Sequence, residues 1–478
     1  MRWRVERKVL QSPLRDWFFF ALFVQLFFAT AVGTNPASRW ATLCALVEDK
    51  TVRIDAYVEH TIDWARTPDG HYYSNKAPGP ALLGLPVFWA LDGLQTWGVA
   101  DRPARDALRY EWRGFNLRLL SLLLQILPFF FLVALWLGKL ERADVSVRAQ
   151  AATAAALLLG TTGVVFLNSY FGHGMAVVFG LGLLYAVTER SVFWTAFFFG
   201  MGLLCDYGSS LLLLPLLPLW TRSWWKCHHK IHWLMRFALG AALPAVLWVA
   251  YHQAAFGNPF WIATRFQNPA FVDSAAEALN LWGVLALPDR NTLFELSLGP
   301  TRGLLFTQPW VLFFLAAAWM IPMAQEGLLR KPQKYWVQFA AVSFLLLFLM
   351  NAAFGAWHAG NSPGPRYLSV GLVLCAAALG WMWDAFSPEW ERRMWWLLAL
   401  TAVLQLVFLS IYLGFPGPEE TLWSFYRREL TGEHAGTPLS RLAVGVPLVL
   451  YLFWKSWRST RRPESRNNSP PLAQTPAH

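Results

Sequence analysis

The sequence predicts an all-α polytopic membrane protein of about 12 transmembrane helices with a long first extracytoplasmic loop. Three observations lead there. Of 478 residues, 56% are hydrophobic and only 14% are charged, more apolar surface than a soluble core can use. The apolar residues fall in windows of about 18–20 with almost no charge, the length a helix needs to cross the hydrocarbon. The net charge of +11 is not spread as a nucleic-acid surface would require, because the basic residues gather at the ends of those windows.

The windows lie near 17–33, 116–138, 149–167, 172–189, 234–251, 304–322, 336–353, 367–384, 394–414 and 439–456. Two further stretches are ambiguous. Residues 191–220 suffice for one steep helix or for two short ones broken around Asp206, Tyr207 and Gly208, and residues 80–97 are of marginal length and carry Asp92. Arg2, Arg4, Arg7, Lys8 and Arg15 precede the first window, while Lys455, Arg458, Arg461, Arg462 and Arg466 follow the last. The positive-inside rule therefore places both termini in the cytoplasm and makes the crossing number even. Splitting 191–220, and letting 80–97 dip into the membrane without spanning it, brings Lys139, Arg142 and Arg148 inside as well. That arrangement leaves Arg102, Arg105, Arg109 and Arg113 outside, in a loop longer than the ~60 residues over which the rule informs. The alternative, with 80–97 crossing and 191–220 as a single helix, gives the same total.

The organisation expected is a cytoplasmic N-terminus at 1–16, a membrane domain at 17–460 containing the first outer loop at 34–115, and a tail at 461–478 too polar to pack. The first helix reads as an uncleaved anchor. Cys44, Cys205, Cys227 and Cys375 have no paired spacing, which gives neither a disulfide framework nor a zinc pattern. "WWKCHHKIHW" from Trp224 falls on the cytoplasmic side beside Lys226 and Lys230 and reads as a headgroup-facing loop.

The polar residues that are not simple helix-end charges lie mostly in outer loops. Outside the membrane no nucleoside triphosphate is at hand, and the sequence holds neither a Gly-rich phosphate loop ending in Lys-Ser/Thr nor a dinucleotide fingerprint. Energy for a reaction must then arrive with the substrate, and a lipid-linked phosphate is such a donor. The first outer loop offers Arg39 in "ASRWA", Asp55 in "RIDAY", Asp63 in "TIDWA", and Tyr73 and Lys76 in "HYYSNKAPG". A carboxylate can take a proton from a nucleophile, and cations can hold a departing phosphate. Arg302 and Arg366 sit at outer helix ends beside glycine and proline, and guanidinium suits bidentate phosphate contact. His173 follows "NSYFG" at an outer turn, and Asp206 with Tyr207 interrupts an apolar run. Asp69 and Gly70 read as a turn.

"GHYYSNKAPGPALLGLPVF" resembles the signature of GT-C glycosyltransferases, the superfamily of protein O-mannosyltransferases and of the enzyme that moves aminoarabinose onto lipid A. "GPTRGLLFTQPWVLF" from Gly299, "WHAGNSPGPRYL" from Trp357 and "GTTGVVFLNSYFGHG" from Gly160 extend the likeness over residues 39–367. The resemblance implies a GT-C membrane fold in which Lys76 contacts the lipid phosphate and Arg39 takes the place of the arginine that follows the first helix. It also implies that the helix after Lys76 need not cross the bilayer. Many relatives carry Asp-Glu just before that arginine, whereas here Asn35, Pro36, Ala37 and Ser38 stand there, so the base does not carry over. Asp55 is the first choice for it and Asp63 the second, with Asp273, Glu277, Asp289, Glu295, Glu419 and Glu420 of later loops as rivals.

The function expected is a hexosyl- or pentosyltransferase of the bacterial inner membrane, with its site facing the periplasm. It would pass a sugar from a polyprenyl-phosphate donor to a lipid, glycan or protein acceptor with inversion. Arg39, Tyr73, Lys76, His173, Arg302 and Arg366 would bind substrate. The sequence indicates no cofactor; a divalent metal is compatible with such chemistry but not indicated. The other class of function is a transporter or flippase, which predicts Gly/Pro-broken helices in matching places of two halves. Here the polarity is loaded into one outer loop instead.

Overall fold

The computed structural model describes residues 14–28, 33–271, 287–320, 329, 331–411, 417, 419–433 and 435–459. The basic positions before residue 14, the acids Asp273 and Glu277, and the tail after residue 459 lie outside the described residues. Among those described, six helices are long and apolar enough to cross a membrane: Arg102–Arg142, Lys230–Phe256, Gln333–Ala353, Arg366–Trp383, Pro388–Ser410 and Gly436–Arg458. Val147–Leu159, Gly172–Thr188, Val192–Cys205 and Pro309–Met320 are shorter apolar helices. The chain is an all-α polytopic membrane protein, as its composition predicts.

Burial sorts these helices. Arg366–Trp383 is the centre of the bundle, with 89% of its apolar window buried, and Lys230–Phe256 is the periphery, with 11%. The central helix can be enclosed because Ala376, Ala377 and Ala378 let neighbours approach closely, which is what drives helix association in lipid. The peripheral helix presents Ile231, Leu239, Val246 and Val249 outward, as a lipid-facing helix should.

Residues 191–220 form two helices, Val192–Cys205 and Leu213–Lys226, with a short 3-10 turn at Tyr207–Leu212 between them. Asp206 makes the break. Its backbone is extended, and its carboxylate accepts from the Gly208 N–H at 3.1 Å, capping the turn that follows.

Arg102–Arg142 runs for 41 residues, about 60 Å at the α-helical rise and roughly twice the hydrocarbon thickness. Its charged first half therefore stands clear of the apolar layer. Packed on that half is an extramembrane layer whose core holds Trp40, Leu43, Tyr57, Phe88, Leu120 and Tyr170. Arg109, buried to 2% exposure, binds Asp92, Glu48 at 2.7 Å and Asp106 at 3.4 Å; Arg102 binds Asp49 at 2.8 Å. Two of the four arginines that the positive-inside rule would disfavour here thus carry their own countercharge. The Gly79–Gln95 helix starts three residues after Lys76 and, through Asp92, ends on Arg109. Both of its ends are tied to this one layer, and it is not among the six spanning helices.

Candidate active site

A two-stranded hairpin builds the site. Trp64–Arg66 pairs antiparallel with Tyr72–Ser74, with Trp64 opposite Ser74, and Gly70 takes the left-handed conformation of the expected turn at φ +89°. Asp63 precedes the first strand by one residue and Lys76 follows the second by two, so the register alone brings them together. Lys76 Nζ lies 2.7 Å from Asp63 Oδ1, with the side chains 19% and 8% exposed.

Two serines buckle this hairpin onto the Thr34–Cys44 helix. Ser38 Oγ donates to the Asp63 carbonyl at 2.6 Å and lies 2.6 Å from Ser74 Oγ, which in turn accepts from the Lys76 N–H at 3.2 Å. The sequence reading missed both serines. The signal for Ser38 was its place in the segment where many relatives carry acids; small hydroxyls there close a buried backbone junction.

One residue on, Arg39 is buried to 4% exposure and bonded to the Asn35 side chain and, at 3.1 Å, to the Asn35 carbonyl. Burial pushes its guanidinium down to about 10, with Asp63 opposing that shift, so it stays charged at neutral pH. Arg366 stands over the rings of Phe171 and Tyr367 at 5.7 Å and 5.6 Å, and its charge acts on both Lys76 and Asp63. The buried Nε of Arg39 and that of Arg366 have no hydrogen-bond partner among the described residues. Beside them His173 Nδ1 lies 3.0 Å from Asp206 Oδ2. Three cations (Arg39, Lys76, Arg366) stand here with two carboxylates, Asp63 on Lys76 and Asp206 on His173, a formal excess of one positive charge.

The other residues singled out in the sequence fall elsewhere. Asp55, first choice for the base, is 43% exposed and already engaged, accepting from the Tyr72 N–H at 2.6 Å and lying 2.8 Å from His71 Nδ1. That pairing makes it a brace of the hairpin edge. Tyr73 belongs to a small separate core with Tyr251 and Phe256, the latter ring at 5.6 Å. Arg302 is fully buried, and its guanidinium donates to the carbonyls of His358 at 3.2 Å, Gly360 at 3.1 Å and Gly417 at 2.7 Å. It clamps loops together, and that commitment sets it apart from the cations facing Asp63.

The Asp63–Lys76 pair makes a pH prediction. Burial raises the Asp63 carboxyl, but Lys76 and a hydrogen bond from Thr34 outweigh it and hold the acid below its ordinary 3.8. A folded value below the unfolded one means the stabilisation is complete above the unfolded value, near pH 4, and is lost as pH falls through the folded value. Burial pushes the Lys76 ammonium below 10.5, so its opposing penalty is relieved only toward alkaline pH. Thermal unfolding in detergent from pH 7 to pH 3 should show wild type losing stability on the acid side, with Asp63→Asn flatter there. Parallel acid limbs would show that the pair does not stabilise the fold.

No family profile matches the chain, and no curated protein does. Among solved structures it is similar to ArnT. The crystal structure of ArnT from Cupriavidus metallidurans bound to undecaprenyl phosphate matches with a TM-score of 0.44 at 14% identity, over 92% of this chain and 77% of that one. A likeness that loose transfers no residue and no substrate, so the chemistry rests on the geometry of this chain.

Proposed function

We propose that the chain is a membrane glycosyltransferase of GT-C type that takes a sugar from a polyprenyl-phosphate donor and passes it, with inversion, to an acceptor outside the cytoplasm. The observation that carries this is the cation-rich cluster of buried Arg39 with half-buried Lys76 and Arg366, whose guanidinium Nε groups have no hydrogen-bond partner among the described residues. A phosphodiester carries one negative charge, which matches the excess of the cluster. As the bond to the sugar breaks, the leaving lipid phosphate gains a second charge, and preorganised cations stabilise that change more than the ground state. The motif resemblance from Arg39 to Tyr367 supports the same reading, since its elements supply Arg39, Lys76 and Arg366.

Asp63 is the carboxylate of this site in place of Asp55. It holds Lys76 in position, and its negative charge faces the positive charge that develops on the sugar ring. The placement proposed is the bacterial inner membrane with the cluster facing the periplasm.

The test is direct binding of undecaprenyl phosphate to the purified protein in nanodiscs, together with mass spectrometry of envelope lipids, glycans and proteins from cells with and without the gene. Saturable binding and loss of one glycosylated product are expected. No binding and an unchanged envelope would overturn the reading.

A further inference from the structure

The site holds a second ionisable pair, whose carboxylate is engaged by its own partners and not by the donor-site cations. His173 and Asp206 come from different helices, Gly172–Thr188 and the break after Val192–Cys205, and meet through Nδ1 and Oδ2 at 3.0 Å. The second Asp206 oxygen is fixed by the Gly208 N–H at 3.1 Å. With Nδ1–H donated to the carboxylate, the imidazole is set in the tautomer whose Nε2 carries a lone pair.

The surroundings hold that ring in one place. A Cβ at Gly172 would come within 2.7 Å of Arg39 Nη2 and 2.5 Å of the Cys205 carbonyl, and one at Gly174 within 2.4 Å of both Gln125 Oε1 and the Phe166 carbonyl. The two glycines flanking His173 therefore let the helix start press against the donor-site arginine on one side and Gln125 on the other. Gln125, in a π-turn at Leu122–Ile126, donates to the Phe171 carbonyl at 3.2 Å and steadies the entry to this helix. The ring packs edge-on to Tyr367 at 5.4 Å and to Phe166 at 5.7 Å, and Tyr367 also carries Arg366.

We infer that His173, oriented by Asp206, is the general base that takes the proton of the acceptor hydroxyl; this rests on the glycosyl-transfer reading above. The acceptor oxygen bonds to the anomeric carbon as its proton passes to His173 Nε2. The bond from that carbon to the phosphate oxygen breaks with its electron pair going to the phosphate, which Lys76, Arg39 and Arg366 hold. Asp206 balances the imidazolium, which then returns the proton to water. The assignment also separates the roles of the two carboxylates, because Asp63 is occupied by Lys76 while Asp206 is occupied by the base itself. His173 is the catalytic residue and Asp206 the positioning residue.

Azide separates proton removal from everything else, because it is a nucleophile with no proton to lose. Membranes containing the protein supply the native donor, and mass spectrometry detects the glycosyl azide whichever sugar is carried. His173→Asn, whose amide can still reach Asp206, should lose transfer to the native acceptor by about 10²–10⁴-fold. It should keep azide transfer within about threefold of wild type and bind undecaprenyl phosphate as wild type does. Asp206→Asn should show the same split. It decides the matter if His173→Asn fails to fold. Acceptor transfer retained within about threefold in both variants, or acceptor and azide transfer lost together while undecaprenyl phosphate still binds, overturns the base assignment. A wild type that neither binds undecaprenyl phosphate nor forms glycosyl azide overturns the donor-site reading instead, and this inference with it.

Discussion

Lys76→Gln should abolish transfer and also weaken the fold, and the two effects should come apart in a double variant. The sequence suggests an exposed lysine at a membrane lip, whose removal would be silent for stability. The structure half-buries it against the buried Asp63 at 2.7 Å. Removing the cation takes away the direct ion-pair partner of the Asp63 carboxylate, 8% exposed, and leaves it the Thr34 hydrogen bond and the more distant charges of Arg366 and Arg39, a loss of about 1–3 kcal/mol. Asp63→Asn/Lys76→Gln removes both charges and should recover most of that stability. It should not recover activity, because the phosphate has lost a cation placed for its developing charge; a loss of about 10²–10³-fold or more is expected. Thermal unfolding in detergent and product formation in membranes measure the two effects separately. Near-normal transfer in a folded Lys76→Gln or double variant would remove Lys76 from the reaction.

Arg109→Met should produce the largest loss of stability away from the site. Arg109 is buried with Asp92 and Glu48, and it joins the end of the Gly79–Gln95 helix to the long Arg102–Arg142 helix. Without the guanidinium, the buried carboxylate of Asp92, 8% exposed, has lost its partner, at a cost of about 3–5 kcal/mol. Asp92→Asn/Arg109→Met should be less destabilised than Arg109→Met alone, a coupling that a double-mutant cycle measures. Additive effects of the two substitutions would mean that the pair does not hold the outer layer together. The outer layer carries Arg39 as well as Glu48, so misplacement of this helix should also weaken undecaprenyl phosphate binding.

Apolar window length and clustered basic residues are properties of local composition, and they were enough to predict an all-α membrane protein. The split of residues 191–220 was legible for a similar reason. An aspartate two residues before a glycine in an apolar run has few conformations that satisfy its carboxylate, and capping its own turn is one of them. The first loop also stood out in the sequence for its polar residues, and Lys76 and Asp63 of that loop do meet in the structure.

Which residues share the site was decided by tertiary structure alone. Asp55 and Asp63 look equivalent in sequence, eight positions apart in one loop. Hairpin register places Asp63 beside Lys76, while Asp55 meets His71 and the Tyr72 N–H at the edge. Arg302 and Arg366 likewise occupy similar Gly- and Pro-flanked contexts, yet one is bound to loop carbonyls and the other stands near Asp63 with a buried Nε that has no partner among the described residues. The pairing of His173 with Asp206 spans 33 residues and two helices. By itself the sequence determined that the chain is a helical membrane protein, because hydrophobicity sums along the chain. The partner of each charge was left to the fold, because a buried ion pair is fixed by distances of a few ångströms between segments that the chain order does not relate.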